Sequence, residues 1–479
     1  MNEQILNISD TDQGKYREEY SPRSILLAGI SLIIGMLTIA YLHYNTPNII
    51  SVIIQIAILS SFFFSKKNYP WLFILCFIHF QPGGLFCEQA RQMILIENPG
   101  LGVVTFEMMF VLVAWLKVLK NKPIKVFYQN RFILVVLYIL LLVPVFGVKW
   151  VSLIKSMILF SWLLLIPRLL SNKEEIDSLF YLLFMVNIFV FISNIYKFTT
   201  GQAIVSLFTH ISDAKSIDTS EILIRTAEGI QFAHLSVIGG LYYLSKEKSS
   251  ISFIIAYSGL ILGLLSIIFS ATRGWIISTT FLIITYSFFM LPKLFKNIII
   301  IIPVLVLTII IIWQVPIINK QITKAYERTL YYENILNPDL NAETTDIGRI
   351  RRSGRVLEKF RESPWVGWGF GETGREYSDS HTGNQSILLN MGIFGYLIML
   401  FFWGGFIYTL LASSNLFHPT NPDYKLKILI ILSFISVFII HSTSGAFLHP
   451  TIGADATIWY GLIFSLGNYL YYQGKGVFD

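Results

Sequence analysis

Three places in the sequence combine residue types that can do chemistry. The first is SHTGNQSILLNMGIFGY, residues 380–396, where a polar run carrying His381 and Asn384 leads straight into an apolar stretch. Imidazole changes its charge near neutral pH, with an unperturbed pKa of about 6.5. The second is SATRGW, residues 270–275, where Arg273 occupies a tight hairpin between two long apolar runs. A guanidinium flanked this closely by apolar segments has few water partners and needs an anion or a carboxylate nearby; the alternative is snorkelling to headgroups. The third is IRTAEGIQFAHLS, residues 224–236, with Arg225 at the mouth of another apolar run and Glu228 and His234 slightly deeper.

A fourth feature is the charged segment 317–383, whose charge is segregated. Glu327, Glu333, Asp339, Glu343 and Asp346 precede a basic stretch with Arg349, Arg351, Arg352, Arg355, Lys359 and Arg361. GRIRRSGRVLEKFRESP can form an amphipathic helix with Ile350, Leu357 and Phe360 near one face, stopped by Ser363-Pro364. Beside a bilayer such a helix lies on anionic headgroups or phosphates, unless it is simply a solvated cap. WVGWGFGETG follows, and its glycines suit a tight loop that approaches a ligand.

These residues must be positioned by membrane-spanning helices. The chain of 479 residues is 54% hydrophobic and 14% charged, with a mean hydropathy of +0.62. A soluble chain this apolar could not cover its surface. Runs long enough to cross a bilayer fall at 24–43, 47–64, 69–86, 100–118, 131–148, 150–168, 176–197, 228–245, 250–270, 274–291, 296–316, 384–411, 426–447 and 452–471. The expectation is an all-α integral membrane protein with about fourteen transmembrane helices, twelve at the fewest, and one large external loop containing an amphipathic helix. β-Barrel strands would be shorter and would alternate in polarity.

Lys and Arg set the orientation. With the N-terminus inside, the inner segments hold nineteen basic residues and the short outer loops six. The long segment 317–383 is exempt from that rule and lies outside. The chain then divides into a cytoplasmic N-terminal tail (1–23), an N-terminal transmembrane bundle (24–316), the external loop (317–383) and C-terminal transmembrane helices (384–479). The tail lacks the layout of a signal peptide. Cys76 and Cys87 match no metal or redox spacing.

Taken in order, IRTAEG, SATRGW, ESPWVGWGFGE and SHTGNQSILLNMGIFGY resemble the O-antigen ligase and O-antigen polymerase superfamily of bacterial envelope glycosyltransferases. The likeness covers roughly residues 220–410. It implies a GT-C-like fold in the inner membrane, with both termini cytoplasmic and a periplasmic active site. It also implies transfer of a saccharide from an undecaprenyl-diphosphate-linked oligosaccharide to a hydroxyl of an acceptor glycan or lipid. His381 would take the acceptor's proton, while Arg225 and Arg273 would hold the leaving diphosphate. Arg349, Arg352, Arg355, Lys359, Glu228 and Asn384 are candidate substrate-binding residues. Many relatives carry Asn directly after the histidine; here Thr382 and Gly383 intervene before Asn384.

No cofactor is expected. The outer turn YNTPN has no carboxylate and no outer loop contains Asp-x-Asp, so arginines replace a metal in this reading. His441 and His449, with Asp455, read as packing or headgroup residues rather than metal ligands. The bilayer and the lipid-linked glycan are the expected partners, a chain-length regulator protein is a candidate, and nucleic acid is not expected. The rival class is a transporter of polysaccharide or lipid-linked saccharide, which would show internal repeats and deep charges in several spans. No clear repeat is present, and Glu107 and Lys155 are the deep charges. Within the family, polymerase is preferred over O-antigen ligase acting on lipid A–core.

Overall fold

The computed structural model describes residues 22–78, 93–98, 102–120, 125–147, 150–170, 172–200, 204–208, 230–244, 250–270, 272–289, 345–379, 382–413, 422–443, 448–450 and 457–475, with isolated positions between 303 and 323. The chain is mostly helical. In order come α1 (Pro22–Asn45), α2 (Asn48–Phe64), α3 (Tyr69–Ile78), β1 (Ile94–Asn98), β2 (Gly102–Thr105), α4 (Phe106–Lys120) and α5 (Gln129–Phe146). Then follow α6 (Trp150–Phe160), α7 (Trp162–Leu169), α8 (Lys173–Thr200), α9 (Ile230–Leu244), α10 (Ser250–Phe269) and α11 (Arg273–Phe289). The last group is α12 (Thr345–Arg361), α13 (Glu372–Tyr377), α14 (Gly383–Ala412), α15 (Pro422–Thr443) and α16 (Thr457–Gln473).

Among the described residues, five helical stretches are long and apolar enough to cross a bilayer: Leu26–Asn45, Gln129–Phe146, Lys173–Tyr196, Gly383–Ala412 and Asp423–Ser442. Shorter apolar helices fall at most of the other expected spans. The run at 296–316 lies outside the described residues apart from isolated positions.

Local structure departs from the expected spans in three places. The run expected to span from residue 100 begins as an antiparallel hairpin, with Ile96 paired to Val104 and Asn98 to Gly102, and becomes helical at Phe106. Asn98-Pro99-Gly100 is the turn signal that marks this hairpin. The run at 150–168 divides into α6 and α7 at Ser161, six residues before Pro167. The run at 384–411 is broken at Gly392, with functional consequences described below.

Lipid tails are as apolar as leucine, so helix association in a bilayer rests on close packing and interhelical hydrogen bonds. The helices α9 and α10 meet this requirement through glycines. A Cβ at Gly263 would sit 2.7 Å from the Ala233 carbonyl oxygen, and one at Gly240 would sit 3.0 Å from that of Ala256. The C-terminal helices pack through aromatic rings instead. Phe464 of α16 lies 4.1 Å from Phe406 and 4.5 Å from Tyr128, between centroids, and Trp403 lies 5.2 Å from Phe434. Aromatic pairs of this kind contribute about 0.5–1.5 kcal/mol each beyond burial. They fix α14 against α15, α16 and the segment leading into α5, and so fix the scaffold that carries α12 and the loop after it.

Candidate functional site

The loop after α12, residues 364–369, docks on a break in α14. Gly392 has φ 64° and ψ −173°, a conformation closed to residues with a Cβ, and it divides the helix into a first part up to Met391 and a longer second part. The break frees backbone groups on both sides. The loop after α12 takes them up: Trp368 N–H donates to the Leu389 carbonyl (2.7 Å) and Gly369 N–H to that of Asn390 (2.9 Å). In return Ile393 N–H donates to the Pro364 carbonyl (2.8 Å) and Phe394 N–H to that of Trp365 (3.1 Å). Irregular backbone at membrane depth persists where protein satisfies it in this way.

Gly367 (φ 73°) and Gly369 (φ 62°) shape the inserted loop. A Cβ at Gly367 would lie 2.6 Å from both the Gly392 nitrogen and the Leu389 carbonyl oxygen. The glycines of WVGWGFGETG therefore bring the loop onto α14, and at Gly369 and Gly371 onto the end of α5 at Phe146, in place of the expected ligand. That expectation is corrected: the close approach is protein on protein.

The basic helix α12 forms as the sequence predicts and ends at Arg361. Val356 is its buried anchor, with Leu357 and Phe360 half-buried. Arg352 Nε lies 3.4 Å from Asp379 and Arg355 lies 3.6 Å from Glu376, with its guanidinium over the Tyr377 ring. Lys359 pairs with Glu362 at 2.6 Å and lies over the Trp368 ring at 4.3 Å. The Glu362 bond raises the Lys359 pKa and keeps it cationic. Arg352, Arg355 and Lys359, expected to bind substrate, thus each have a carboxylate beside them. The side chains of Arg352 and Arg355 remain 46% and 57% exposed, and exposed pairs of this kind are worth about 0–1 kcal/mol, so an anion of higher charge can replace the carboxylate. The side chain of Arg349 lies outside the described residues, though its backbone belongs to α12.

His381, Arg225 and Glu228 also lie outside the described residues, but the frame around His381 is defined. Thr382 N–H donates to the Asp379 carbonyl (3.1 Å), so the residues on either side of Ser380 and His381 are bonded to each other. Ser386 Oγ donates to the same carbonyl (2.9 Å) and accepts from the Asp379 N–H (3.2 Å). Asn384 faces protein. Its amide donates to Ser442 Oγ (3.0 Å) and its Oδ1 accepts from the Tyr396 hydroxyl (3.3 Å), tying the start of α14 to the end of α15.

Arg273 is the first residue of α11, following Thr272; its side chain lies outside the described residues. The unpaired N–H groups and dipole of a helix N-terminus favour an anion there. Two residues on, Trp275 makes an edge contact with His234 of α9 (5.4 Å), and His234 lies 3.4 Å from Ser436 of α15. Towards the end of α15, His441 packs on Gly383, where any Cβ would strike its carbonyl and ring. The start of α14, at Gly383, thus packs on the last turn of α15, and Trp275 near the start of α11 reaches the same helix at Ser436 through His234.

Residues 258–400 match a family model described as O-antigen ligase. The likeness covers that segment alone. It contains Arg273, the whole of α12, the inserted loop, His381 and the break at Gly392, while Arg225 and Glu228 lie ahead of it. The match bears out the resemblance to the O-antigen ligase and polymerase superfamily. With the apolar helices it marks a membrane protein. No curated protein matches the chain.

Gly392, Asn390 and His449 make contacts near the candidate site that the sequence does not reveal, His449 reading there only as a packing or headgroup residue. Gly392 falls within a Gly-x-x-Gly pattern, and a helix break cannot be read from a pair of glycines in an apolar run. Asn390 and His449 meet across 59 residues: the Asn390 amide lies 3.0 Å from His449 Nε2, and both side chains are buried. Burial holds the His449 imidazole neutral, with its pKa lowered to about 3. Among the described residues, no group of three or more His, Cys, Asp or Glu is arranged to hold a metal ion.

Proposed function

We propose that the protein is a metal-independent glycosyltransferase that joins undecaprenyl-diphosphate-linked repeat units on the outer face of the bacterial inner membrane. The acceptor hydroxyl attacks the anomeric carbon of the donor. His381 takes its proton, the bond from that carbon to the diphosphate oxygen breaks, and Arg225 and Arg273 hold the diphosphate as its charge develops. Arginine suits this role because its planar fork meets phosphate oxygens two at a time. The reading carries with it a GT-C-like architecture of about fourteen spans, cytoplasmic termini and the division at residues 23, 316 and 383 set out above.

What supports it best is that Arg273 and His381 both lie in the segment that matches the O-antigen ligase family, at or just ahead of the starts of α11 and α14, two helices that both pack on α15. In the polymerase reading, α12 offers the second lipid diphosphate its cations by exchanging exposed carboxylate partners for phosphate. Ligation to lipid A–core, whose phosphates would suit the same helix, is the second reading and is favoured by the description of the matched family. The test is His381→Ala in a strain lacking the native copy. Loss of the glycan ladder with normal membrane insertion supports the reading, and a near-normal ladder removes His381 as the base.

A further inference from the structure

We propose that His449 and Asn390 form a buried clamp on the residues that flank His381, Ser378 and Asp379 on one side and Thr382 on the other, making both positioning residues of the transfer. The inference rests on the glycosyltransferase reading above and deepens it. The break at Gly392 interrupts the backbone ladder between the first part of α14, from Gly383 to Met391, and the long helix beyond it, leaving the Tyr396–Asn384 bond to reach across. That short part begins two residues after His381, and side-chain bonds set its position.

The direction of each hydrogen bond around it can be worked out. Ser378 Oγ donates to the Gly374 carbonyl, so its oxygen accepts from the Asn390 amide nitrogen at 2.8 Å. That fixes the amide with its nitrogen towards Ser378, and the same nitrogen lies 3.0 Å from His449 Nε2. His449 Nε2 is therefore the acceptor and the ring proton sits on Nδ1. From there the ring bonds the backbone of Ser386. Ser386 in turn holds both the N–H and the carbonyl of Asp379, and its hydroxyl lies 2.9 Å from Thr382 Oγ1.

One imidazole thus reaches both sides of the turn. Through Ser386 it holds Asp379 and Thr382, and through Asn390 it holds Ser378. The ring is 1% exposed and packs edge-on against Phe370 of the inserted loop, at 6.0 Å. A residue serving as packing alone would need neither bond, and a phenyl ring would fill the same space. A displacement of about 1 Å in a catalytic group costs on the order of 100-fold in rate.

The experiment uses full-length protein in liposomes containing the lipid-linked repeat unit. His449→Phe, which keeps the ring and loses both bonds, is expected to lower kcat by about 10–100-fold. KM is expected to stay within about twofold, because ground-state binding is untouched. His449→Gln, which can donate and accept, is expected to recover most of that loss. Combining His449→Phe with Asn390→Leu is expected to be little worse than either change alone. Wild-type kcat in His449→Phe, or an equal loss in His449→Gln, overturns the clamp. Should His449→Phe fail to fold, Ser378→Ala decides. It removes one hydroxyl from the same chain of bonds, and unchanged kcat there overturns the clamp as well. Failure of the underlying reading looks different: wild-type protein makes no product, or His381→Ala keeps full activity.

Discussion

Replacing Gly392 with alanine tests whether the helix break holds the loop after α12 in place. The backbone at φ 64°, ψ −173° lies in a region that costs a residue with a Cβ about 1–3 kcal/mol. The new methyl would also run into the Trp365 carbonyl, so the inserted loop must move away. Moving it forfeits the four backbone bonds between Pro364–Gly369 and Leu389–Phe394. At about 0.5–1.5 kcal/mol each, these bonds amount to about 2–6 kcal/mol, before any cost of leaving the groups unpaired. The lower figure already multiplies the population of the undocked loop by about 30, since each 1.4 kcal/mol is tenfold. Hydrogen exchange reads this directly, because the Trp368 and Gly369 amides are protected by the bonds in question. Exchange of the 364–371 segment should accelerate by at least about 30-fold in Gly392→Ala. Gly404→Ala is the control on the same helix: its new methyl would meet no neighbour within 4 Å, and exchange of the loop should not change. Protection of 364–371 that is the same in Gly392→Ala as in wild type would refute the docking argument.

Arg225→Lys and Arg273→Lys should each lower turnover heavily, because lysine keeps the charge and loses the planar fork; full activity in both would mean that the arginines only snorkel. Chelator should leave turnover of the purified protein intact, and arrest by EDTA with rescue by magnesium or manganese would contradict the metal-independent reading. Acid should destabilise the fold around His449. The His449 pKa falls from 6.5 in the unfolded chain to about 3 in the folded one, so between those values the unfolded state binds more protons. Stability from this group therefore rises with pH across that window and is flat above 6.5. The melting temperature should drop between about pH 6.5 and 5, and His449→Gln should flatten that drop. An equal drop in both proteins would assign it elsewhere.

Much of the scaffold is legible in the sequence because apolar run length reports directly on helices in a bilayer. Helices occupy most of the expected runs, and α12 stops just before Ser363-Pro364, as that pair predicts. The hairpin at Ile94–Thr105 is hidden because Gly102–Thr105 is as apolar as the helix it feeds, so hydropathy alone joins the two. Motif order points to the O-antigen ligase likeness, since Arg273 and His381 lie in recognisable local sequence patterns. The Asn390–His449 contact is not legible. It joins residues 59 apart through a helix break, and neither residue's type distinguishes a clamp from ordinary packing. The carboxylate partners of Arg352 and Arg355 are hidden for the same reason: Asp379 and Glu376 lie a turn and a loop away, and the charge pattern alone suggests free cations.

The central claim is glycosyl transfer between lipid-linked units, and one reconstitution tests it. Purified protein in liposomes is given the undecaprenyl-diphosphate-linked repeat unit and nothing else, and the lipid-linked products are resolved by size. The account predicts a ladder of progressively longer lipid-linked chains. If no ladder forms but glycan moves to added lipid A–core, the protein is a ligase and the role given to α12 is wrong. No product with either acceptor would contradict the account as a whole.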